Sequence, residues 1–408
     1  MADETSRLAV LLHDKKIGYL RYSQNYSWFE FDDDYIDDPN RNVLGLRFEE
    51  SLSRRVSANL RLPPWFSNLL PEGQLRTWIA IDRGVSKDRE IQLLGQVGHD
   101  LPGAVRVLEP EADDTDVPSD MQAPTYAGAS GAGWRFSLAG IGLKFSMLRD
   151  AGRFTCPASG EGGDWIVKLP DREFPHVPAN EYHVMTLARI SGLDVPETRL
   201  VHREDIKGLP ASAWPGKEEW AYAIRRFDRT AGGTRVHMED LAQVRGVYPE
   251  DKYFGNFESL GGLVFRGHDT KSLREFARRL AFFVLVGNGD AHLKNWSLLY
   301  KDPRTPVLSP LYDAVCTELY RPQLEGNEDL GLRLGGTRRF DRIKLRHFAR
   351  IERKLGATTD LESIVAGYVR SVQESWPAVE AEIGDSVPGL RSTLAGLIGR
   401  RAAQLIDG

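Results

Sequence analysis

Short apolar runs alternate with polar, turn-forming stretches over residues 8 to 32, near the start of this 408-residue chain. This pattern predicts an antiparallel β meander. Residues 52 to 98 show a more helical pattern, in which prolines interrupt groups of large apolar side chains. We therefore predict a β-rich N-terminal subdomain that spans residues 1 to 110.

An acidic stretch rich in Pro, Ser, Gly and Ala follows over residues 111 to 133. It lacks the apolar side chains that a core needs, so we predict a linker or a mobile loop. Residues 134 to 138 and 143 to 148 then resemble two strands joined by a glycine turn, and residues 164 to 169 resemble a third. We expect residues 134 to 224 to form a lobe around these strands.

Helical patterns dominate the second half of the chain. Just before it, Asn180 is predicted to cap a helix that runs to about Ser191. The clearest helix spans Leu273 to Val286, where apolar residues recur at helical spacing, and Gly287 suits its C-terminal end. We expect residues 225 to 408 to form a mainly helical lobe, which makes the chain a two-lobed α+β protein.

The composition excludes several classes of protein. The net charge is −5 and the pI is about 6.1, so the chain as a whole has no electrostatic means of binding a nucleic-acid backbone. The two cysteines, Cys156 and Cys316, are too few for a disulfide framework or a thiolate metal site. The N-terminus lacks the apolar core of a signal peptide, and no apolar run approaches the roughly 20 residues that span a bilayer. We expect a cytoplasmic protein with no membrane partner.

The strongest functional signal is a polar segment after the Leu273 to Val286 helix. Asp290 and Asn295 stand five positions apart in it, and Asp313 follows behind a second short strand. Phosphoryl transfer needs one carboxylate that accepts a proton from the attacking hydroxyl, and oxygen ligands that hold Mg²⁺ against the phosphates of ATP. A polar loop with an Asx turn has the same spacing. The position between an apolar helix and a strand favours the catalytic interpretation and a two-lobed protein-kinase-like fold.

Two charged residues lie at apolar positions of predicted elements. Lys168 lies in an apolar strand, and Glu181 shares the apolar face of the next helix. Both charges are costly there unless they are paired, and kinases use such a pair to direct an ammonium to nucleotide phosphates. A lysine that extends to the surface and a carboxylate at a helix N-terminus would give the same pattern. The glycine turn Gly140 to Gly142 is compatible with a phosphate loop and with an ordinary hairpin.

Together these segments resemble the HipA family of bacterial toxin–antitoxin kinases, over nearly the whole chain and in the family's order. The similar segments are residues 68 to 73, 136 to 140, 143 to 146, 165 to 170, 180 to 181, 226 to 229, 287 to 295 and 308 to 313. The resemblance implies a serine/threonine protein kinase whose partner is a small helix-turn-helix antitoxin, with DNA contacted only through that partner. It also implies a protein substrate, and aminoacyl-tRNA synthetases are among the family's targets.

The resemblance implies roles for individual residues. Asp290 would accept the proton, and Asn295 and Asp313 would bind magnesium. Ser137 corresponds to a site of inactivating autophosphorylation, with Ser146 as another candidate. Glu181 is expected to be the partner of Lys168, and the residues expected to bind ATP are Ala139, Gly140, Ile141, Gly142, Leu143, Lys144, Lys168, Arg225, Arg226, Phe227, His292, Leu293, Lys294 and Tyr312.

This chain departs from the best-known branch of the family at two places. Gly142 and Leu143 stand where that branch has a Gln-Glu pair before the loop lysine. Arg225 stands where its hinge begins with Glu. Neither change removes a catalytic group, and both concern how the nucleotide is held.

Two other functions are compatible with the same motifs. A small-molecule phosphotransferase also uses an Asp and an Asn at this spacing, but the β-rich first 110 residues argue against it. A pseudokinase that only binds an antitoxin would keep the fold without the chemistry. The presence of Lys168, Asp290, Asn295 and Asp313 argues against that alternative.

Overall fold

The structure is a computed structural model that describes residues 6–110, 143–150, 152–155, 162–209, 213–214, 216–323, 329–384 and 386–407. Within these residues, an antiparallel sheet of five strands has the order β4-β3-β2-β1-β5. The strands are β1 (Ser6–Leu12), β2 (Lys15–Ser23), β3 (Tyr26–Phe31), β4 (Val56–Asn59) and β5 (Val105–Leu108). The first three strands confirm the predicted meander.

Four helices of the N-terminal subdomain pack with this sheet. They are α1 (Asp33–Ile36), α2 (Pro64–Ser67), α3 (Gly73–Arg83) and α4 (Glu90–Val97). The last three confirm most of the helical character predicted for residues 52 to 98, but β4 was not predicted. Only Ala58 is buried in that edge strand, so no apolar alternation reveals it.

A second sheet has the order β10-β7-β6-β8-β11-β9 in the part of the chain described. Its strands are β6 (Lys144–Asp150), β7 (Arg153–Thr155), β8 (Trp165–Lys168), β9 (Thr198–His202), β10 (Ile206–Lys207) and β11 (Trp220–Arg225). The strands predicted over residues 143 to 148 and 164 to 169 are confirmed as β6 and β8. The strand predicted over residues 134 to 138 lies outside the described residues.

Both faces of this second sheet are buried. Along β11, Ala221 and Ala223 pack into the core of the N-terminal subdomain. Tyr222 and Ile224, which point to the opposite face, pack into the core of the helical lobe. The sheet is therefore a layer shared by two cores, and it brings the N-terminal subdomain and the helical lobe to the same strands.

Helix α5 (Val177–Ile190) begins four residues before the predicted start, with His176 in the place predicted for Asn180. Pro178 lies in its first turn, a position that tolerates proline because the N–H there has no helical partner. Asn180 is therefore not the cap but a buried residue inside the helix. Its amide group bonds to both the N–H and the carbonyl of Cys316, each at 3.0 Å.

The C-terminal lobe consists mainly of helices. They are α6 (Leu241–Arg245), α7 (Phe257–Phe265), α8 (Thr270–Val286), α9 (Leu345–Leu355), α10 (Leu361–Ile383) and α11 (Leu390–Asp407). A small sheet within it has the order β12 (His237–Asp240), β13 (Ser297–Tyr300) and β14 (Val307–Leu308). None of the helices in the described ranges is long and apolar enough to cross a membrane.

Helix α8 confirms the predicted apolar helix and extends it by one turn at the N-terminus. The Asp269 side chain caps that end by accepting a hydrogen bond from the N–H of Ser272 at 2.9 Å. At the other end Gly287 has φ +70°, the left-handed conformation that glycine adopts without strain, as predicted for a helix terminus. The chain therefore leaves α8 in a defined direction, directly into the predicted catalytic segment.

Four buried charged residues join the N-terminal subdomain to the segment after β11. Arg226 contacts Asp100 at 3.1 Å and Asp228 at 2.8 Å, and Arg229 contacts the same two carboxylates at 2.7 and 2.9 Å. Burial opposes ionisation of Asp100, but the two guanidinium groups outweigh it and hold the pKa of that carboxyl well below its usual range. Because each charge has partners of opposite sign, the group can remain charged inside the protein.

Replacing Arg226 with Met should destabilise the fold strongly. Asp100 and Asp228 would then lose one of the guanidinium groups that neutralise them in a buried space, and removing one partner of such a group typically costs about 3–5 kcal/mol. Urea denaturation followed by circular dichroism measures the change in unfolding free energy. Arg225→Met, the half-buried neighbour on the same chain segment, is the control. A loss below about 1 kcal/mol for Arg226→Met, the size expected of an ordinary surface change, would contradict this account.

Candidate active site

The predicted catalytic segment forms a compact loop between α8 and β13. The carbonyl of Asp290 accepts hydrogen bonds from the His292 N–H at 2.8 Å and from the Asn295 side-chain amide at 2.7 Å. The Asn288 side chain accepts from the Asp290 N–H at 3.1 Å. These bonds bring Asp290 and Asn295 together as predicted, with the Asp290 side chain 52% exposed and therefore accessible to a substrate.

Asp313 lies in the turn that follows β14, and the segment after it is bound on two sides. Asp313 itself has a φ of +62°, which is uncommon for a residue other than glycine and indicates a conformation held by its surroundings. Asn180 on α5 binds the backbone of Cys316, as described above. The Thr317 hydroxyl donates to the Gly287 carbonyl at 2.9 Å. Asp313 is therefore held between α5 and the end of α8.

Lys168, Glu181 and Asp313 form an ion cluster where β8, α5 and the turn after β14 meet, and we call the space beside the half-exposed Asp313 the cleft. The Lys168 ammonium lies 2.6 Å from Glu181 Oε1 and 2.6 Å from Asp313 Oδ1. The Glu181 side chain is 2% exposed, whereas that of Asp313 is 35% exposed. The predicted pairing of Lys168 with Glu181 is confirmed, and Asp313 is a second partner that faces the open side.

The charges in this cluster do not all favour ionisation: burial raises the pKa of Glu181 to about 7, Lys168 opposes this effect and Asp313 adds to it. Burial alone would lower the pKa of Lys168, but the carboxylates of Asp313 and Glu181 outweigh it and raise that pKa. Burial likewise opposes ionisation of Asp313, and the ammonium of Lys168 holds its pKa well below the usual range. Lys168 is therefore a permanent cation and Asp313 a permanent anion at neutral pH.

Lys144 is a second cation, on the strand next to that of Lys168. Strand pairing sets it opposite Lys168 across β6 and β8. Burial lowers the pKa of Lys144 to about 8, and the Lys168 charge adds to this effect while Asp313 opposes it. The carbonyl of Leu143, the preceding residue, accepts from the Leu169 N–H at 3.0 Å. The other predicted loop residues lie outside the described residues: Ser137, Ala139, Gly140, Ile141 and Gly142.

The predicted hinge residues differ in where their side chains lie. Arg226 belongs to the buried charge group with Asp100, so only its backbone can border the cleft. Phe227 and Tyr312 are half-buried, with ring centroids 5.5 Å apart. The Tyr312 hydroxyl donates to the Lys294 carbonyl at 2.9 Å. Arg225, also half-buried, is the last residue of β11. Its N–H donates to the carbonyl of Glu197, the residue just before β9, at 2.8 Å.

The lysine of the catalytic loop is bound by the N-terminal subdomain. The Lys294 ammonium lies 2.8 Å from Glu72 Oε1 and donates to the Asn68 carbonyl at 3.0 Å. Glu72 Oε2 lies 3.0 Å from the ammonium of Lys252, and the Lys252 carbonyl accepts from the Leu293 N–H at 3.1 Å. Glu72 therefore joins two buried lysines, one within the catalytic loop and one whose carbonyl is hydrogen-bonded to that loop.

These contacts were not predicted from the sequence. Residues 68 to 73 were singled out only for their resemblance to a family segment, with no role assigned to Glu72. Lys252 was not singled out at all. The signal available was the charge of Glu72 just before α3, beside an apolar run, which identifies a carboxylate in need of a partner without indicating which one.

The cleft provides few protein ligands for a metal ion. Among the residues that the structure describes, no three His, Cys, Asp or Glu side chains cluster as a metal site. The candidates are the Asp313 carboxylate and the Asn295 amide oxygen. Two oxygen ligands suit Mg²⁺, which usually binds through one or two protein groups, with substrate phosphates and water completing its shell.

The chain is similar to proteins that are named as kinases. The chain is 43% identical over 363 residues, 87% of its length, to Y4dM of Sinorhizobium fredii, which is provisionally named a kinase and is covered over 86%. It is 27% identical over 364 residues to the serine/threonine-protein kinase toxin HipA of Shewanella oneidensis, covering 78% of this chain and 76% of that one. A solved structure of Shewanella oneidensis HipA with HipB and operator DNA matches with a TM-score of 0.74 and 20% identity, covering 97% of this chain and 96% of that one.

The fold and the cleft define the class of the protein: a two-lobed, α+β, protein-kinase-like fold with a strand lysine paired to a helix glutamate between the lobes. Residues 136–376 match the HipA-like C-terminal domain, and residues 8–108 match the HipA N-terminal domain. The chain belongs to the HipA family.

Replacing Glu72 with Gln tests the link between the N-terminal subdomain and the catalytic loop. Burial would raise the pKa of Glu72, but Lys294 and Lys252 lower it from 4.5 to about 2. A carboxyl whose pKa is depressed by folding stabilises the protein above about pH 4.5, and this contribution is lost as the pH falls toward 2. The wild-type protein should therefore be more stable than Glu72→Gln at pH 7, and the difference should shrink on acidification.

Urea denaturation at a series of pH values measures this difference. Glu50→Gln, an exposed glutamate of the same subdomain, is the control and should track the wild type throughout. A Glu72→Gln protein as stable as the wild type at pH 7 would show that the ion contacts of Glu72 contribute nothing to the fold.

Proposed function

We propose that this chain is a serine/threonine protein kinase that uses ATP and Mg²⁺ and acts as the toxin of a toxin–antitoxin pair. The observation that carries the proposal is the ion cluster of Lys168 with Glu181 and Asp313. A buried carboxylate holds the ammonium from behind, while a half-exposed carboxylate meets it at the open side. This is the arrangement that a kinase needs to receive both nucleotide phosphates and a metal ion.

In this proposal each residue has a separate task. Lys168, with Lys144 beside it, contacts the phosphates of ATP. Asn295 and Asp313 hold Mg²⁺, which neutralises charge on the phosphates when bound. Asp290 orients the acceptor hydroxyl and accepts its proton while the γ-phosphoryl group is transferred. The hinge residues after β11 border the base.

The proposed partner is a small helix-turn-helix antitoxin. Support comes from the matched structure, which contains Shewanella oneidensis HipA, HipB and operator DNA. The net charge of −5 agrees with a chain that reaches DNA through a partner rather than alone. The proposed substrate is a protein of translation such as an aminoacyl-tRNA synthetase.

We also propose that the chain phosphorylates itself, and the burial of Ser146 favours Ser137 as the site. Ser146 is 3% exposed. Its hydroxyl accepts hydrogen bonds from the Gly163 N–H at 3.0 Å and from Arg226 at 3.1 Å. A phosphate there would require these buried contacts to break, which disfavours Ser146.

Asp290→Ala should abolish the activity while leaving ATP binding largely intact. Loss of the proton acceptor alone should slow phosphoryl transfer by roughly 10² to 10⁴. Phosphoproteomics of cells that express the wild-type or the variant chain measures the loss of phosphoryl transfer and identifies the substrate. Phosphosites should appear, and growth should be inhibited, with the wild type only.

Asp33→Ala, which removes an exposed carboxylate from α1, is the matched control and should behave as the wild type. If the wild-type chain adds no phosphosites that Asp290→Ala lacks, the chain is not the proposed kinase. A small-molecule phosphotransferase or a pseudokinase would then remain.

A further inference from the structure

Tyr253 contacts the proposed catalytic carboxylate directly. Its hydroxyl donates a hydrogen bond to Asp290 Oδ1. Its ring meets the ring of His292 edge to face, with centroids 5.1 Å apart. His292 is itself buried in the catalytic loop, and burial lowers its pKa. Tyr253 therefore touches two residues of the loop, and neither the family resemblance nor the spacing of motifs assigned it a role.

The backbone around Tyr253 is fixed by three hydrogen bonds from different parts of the lobe. The Lys252 carbonyl accepts from the Leu293 N–H, as described above. The Tyr253 carbonyl accepts from Arg338 at 3.1 Å, and the Phe254 carbonyl accepts from Arg245 at 2.6 Å. Three successive carbonyls are thus hydrogen-bonded, so the backbone that carries the tyrosine ring is held in place. We call residues 252 to 254 the support.

The same support is tied to the N-terminal subdomain. Lys252, the residue before Tyr253, is 6% exposed and forms its ion pair with Glu72. Glu72 also binds Lys294, four positions beyond Asp290 in the catalytic loop. One carboxylate from the N-terminal subdomain therefore sets the position of both the tyrosine and the loop that it contacts.

We propose that Tyr253 is a positioning residue that holds the Asp290 carboxylate for transfer, which rests on the proposed kinase function. A carboxylate on an exposed side chain can rotate, and only some orientations direct an oxygen at the acceptor hydroxyl. The hydrogen bond to Oδ1 selects one orientation and leaves Oδ2 for the acceptor. Phosphoryl transfer depends mainly on such positioning, so the loss of this bond should slow turnover without weakening nucleotide binding.

The test compares the wild type with Tyr253→Phe, Asp290→Ala and the double variant. Each protein receives [γ-³²P]ATP and Mg²⁺, and water is the acceptor. Release of labelled phosphate measures kcat and KM, and calorimetry measures ATP binding. Tyr253→Phe keeps the ring on His292 and removes only the hydroxyl. We expect its kcat to fall on the order of tenfold, as for loss of a hydrogen bond to a charged group, with KM and ATP affinity unchanged.

The double variant separates positioning from a general structural role. If Tyr253 acts through Asp290, removing its hydroxyl should cost nothing further once Asp290 is alanine, so the two effects should not add. Phe254→Ala, a change at the neighbouring side chain, which is 73% exposed, is the control and should turn over ATP as the wild type does. Thermal midpoints verify that all variants are folded.

The possible failures can be distinguished. A wild-type chain that neither releases more phosphate than Asp290→Ala nor adds phosphosites that Asp290→Ala lacks would contradict the kinase function itself, and the inference with it. Where only phosphosites appear, the same variants are compared by the rate of that labelling. An active wild type with an equally active or faster Tyr253→Phe would overturn the inference alone, since the hydroxyl would then be irrelevant or would compete with the acceptor. Effects that add fully in the double variant would also overturn it.

Discussion

The need to neutralise the largely buried charge of Lys168 organises the structure. A charge in that position is costly unless opposite charges meet it, and its two partners come from α5 and from the turn after β14. Those elements lie far apart in the chain. The Asn180 side chain joins them a second time by binding Cys316, so the helix that supplies Glu181 also positions the segment that supplies Asp313. Fold and candidate site are therefore specified by the same contacts.

The N-terminal subdomain is part of this arrangement and not an attachment to it. Its core continues into one face of the second sheet, Asp100 holds the hinge arginine, and Glu72 holds the catalytic-loop lysine. A further buried carboxylate, Glu239 of the helical lobe, accepts hydrogen bonds from the Leu46 N–H at 2.9 Å and the Trp65 indole at 3.2 Å. Since these contacts join the subdomain to the hinge, to the loop and to the helical lobe, movement of the subdomain would disturb the cleft directly.

Features determined by local pattern could be predicted from the sequence, whereas long-range charge partners could not. The meander, the lysine strand, α8 and the turn at Gly287 follow from periodicity and glycine conformation. The spacing of Asp290 and Asn295 predicted their proximity because a short loop leaves few alternatives. Nothing in a one-dimensional pattern specifies that Glu72 pairs with residues about 180 and 220 positions away, or that Arg226 forms an ion pair with Asp100. The cap predicted at Asn180 was wrong for the same reason: its partner, Cys316, is distant in sequence.

The proposed function requires the Lys168 cluster to receive Mg²⁺ and ATP. Calorimetric titration of the purified chain with ATP, in the presence and absence of Mg²⁺, tests it most directly when Lys168→Met is compared with Lys207→Met, an exposed lysine on β10 of the same sheet. We expect magnesium-dependent ATP binding by the wild type and by Lys207→Met, and binding at least about tenfold weaker for Lys168→Met. Equal affinity in all three proteins, or no binding by the wild type, would contradict it.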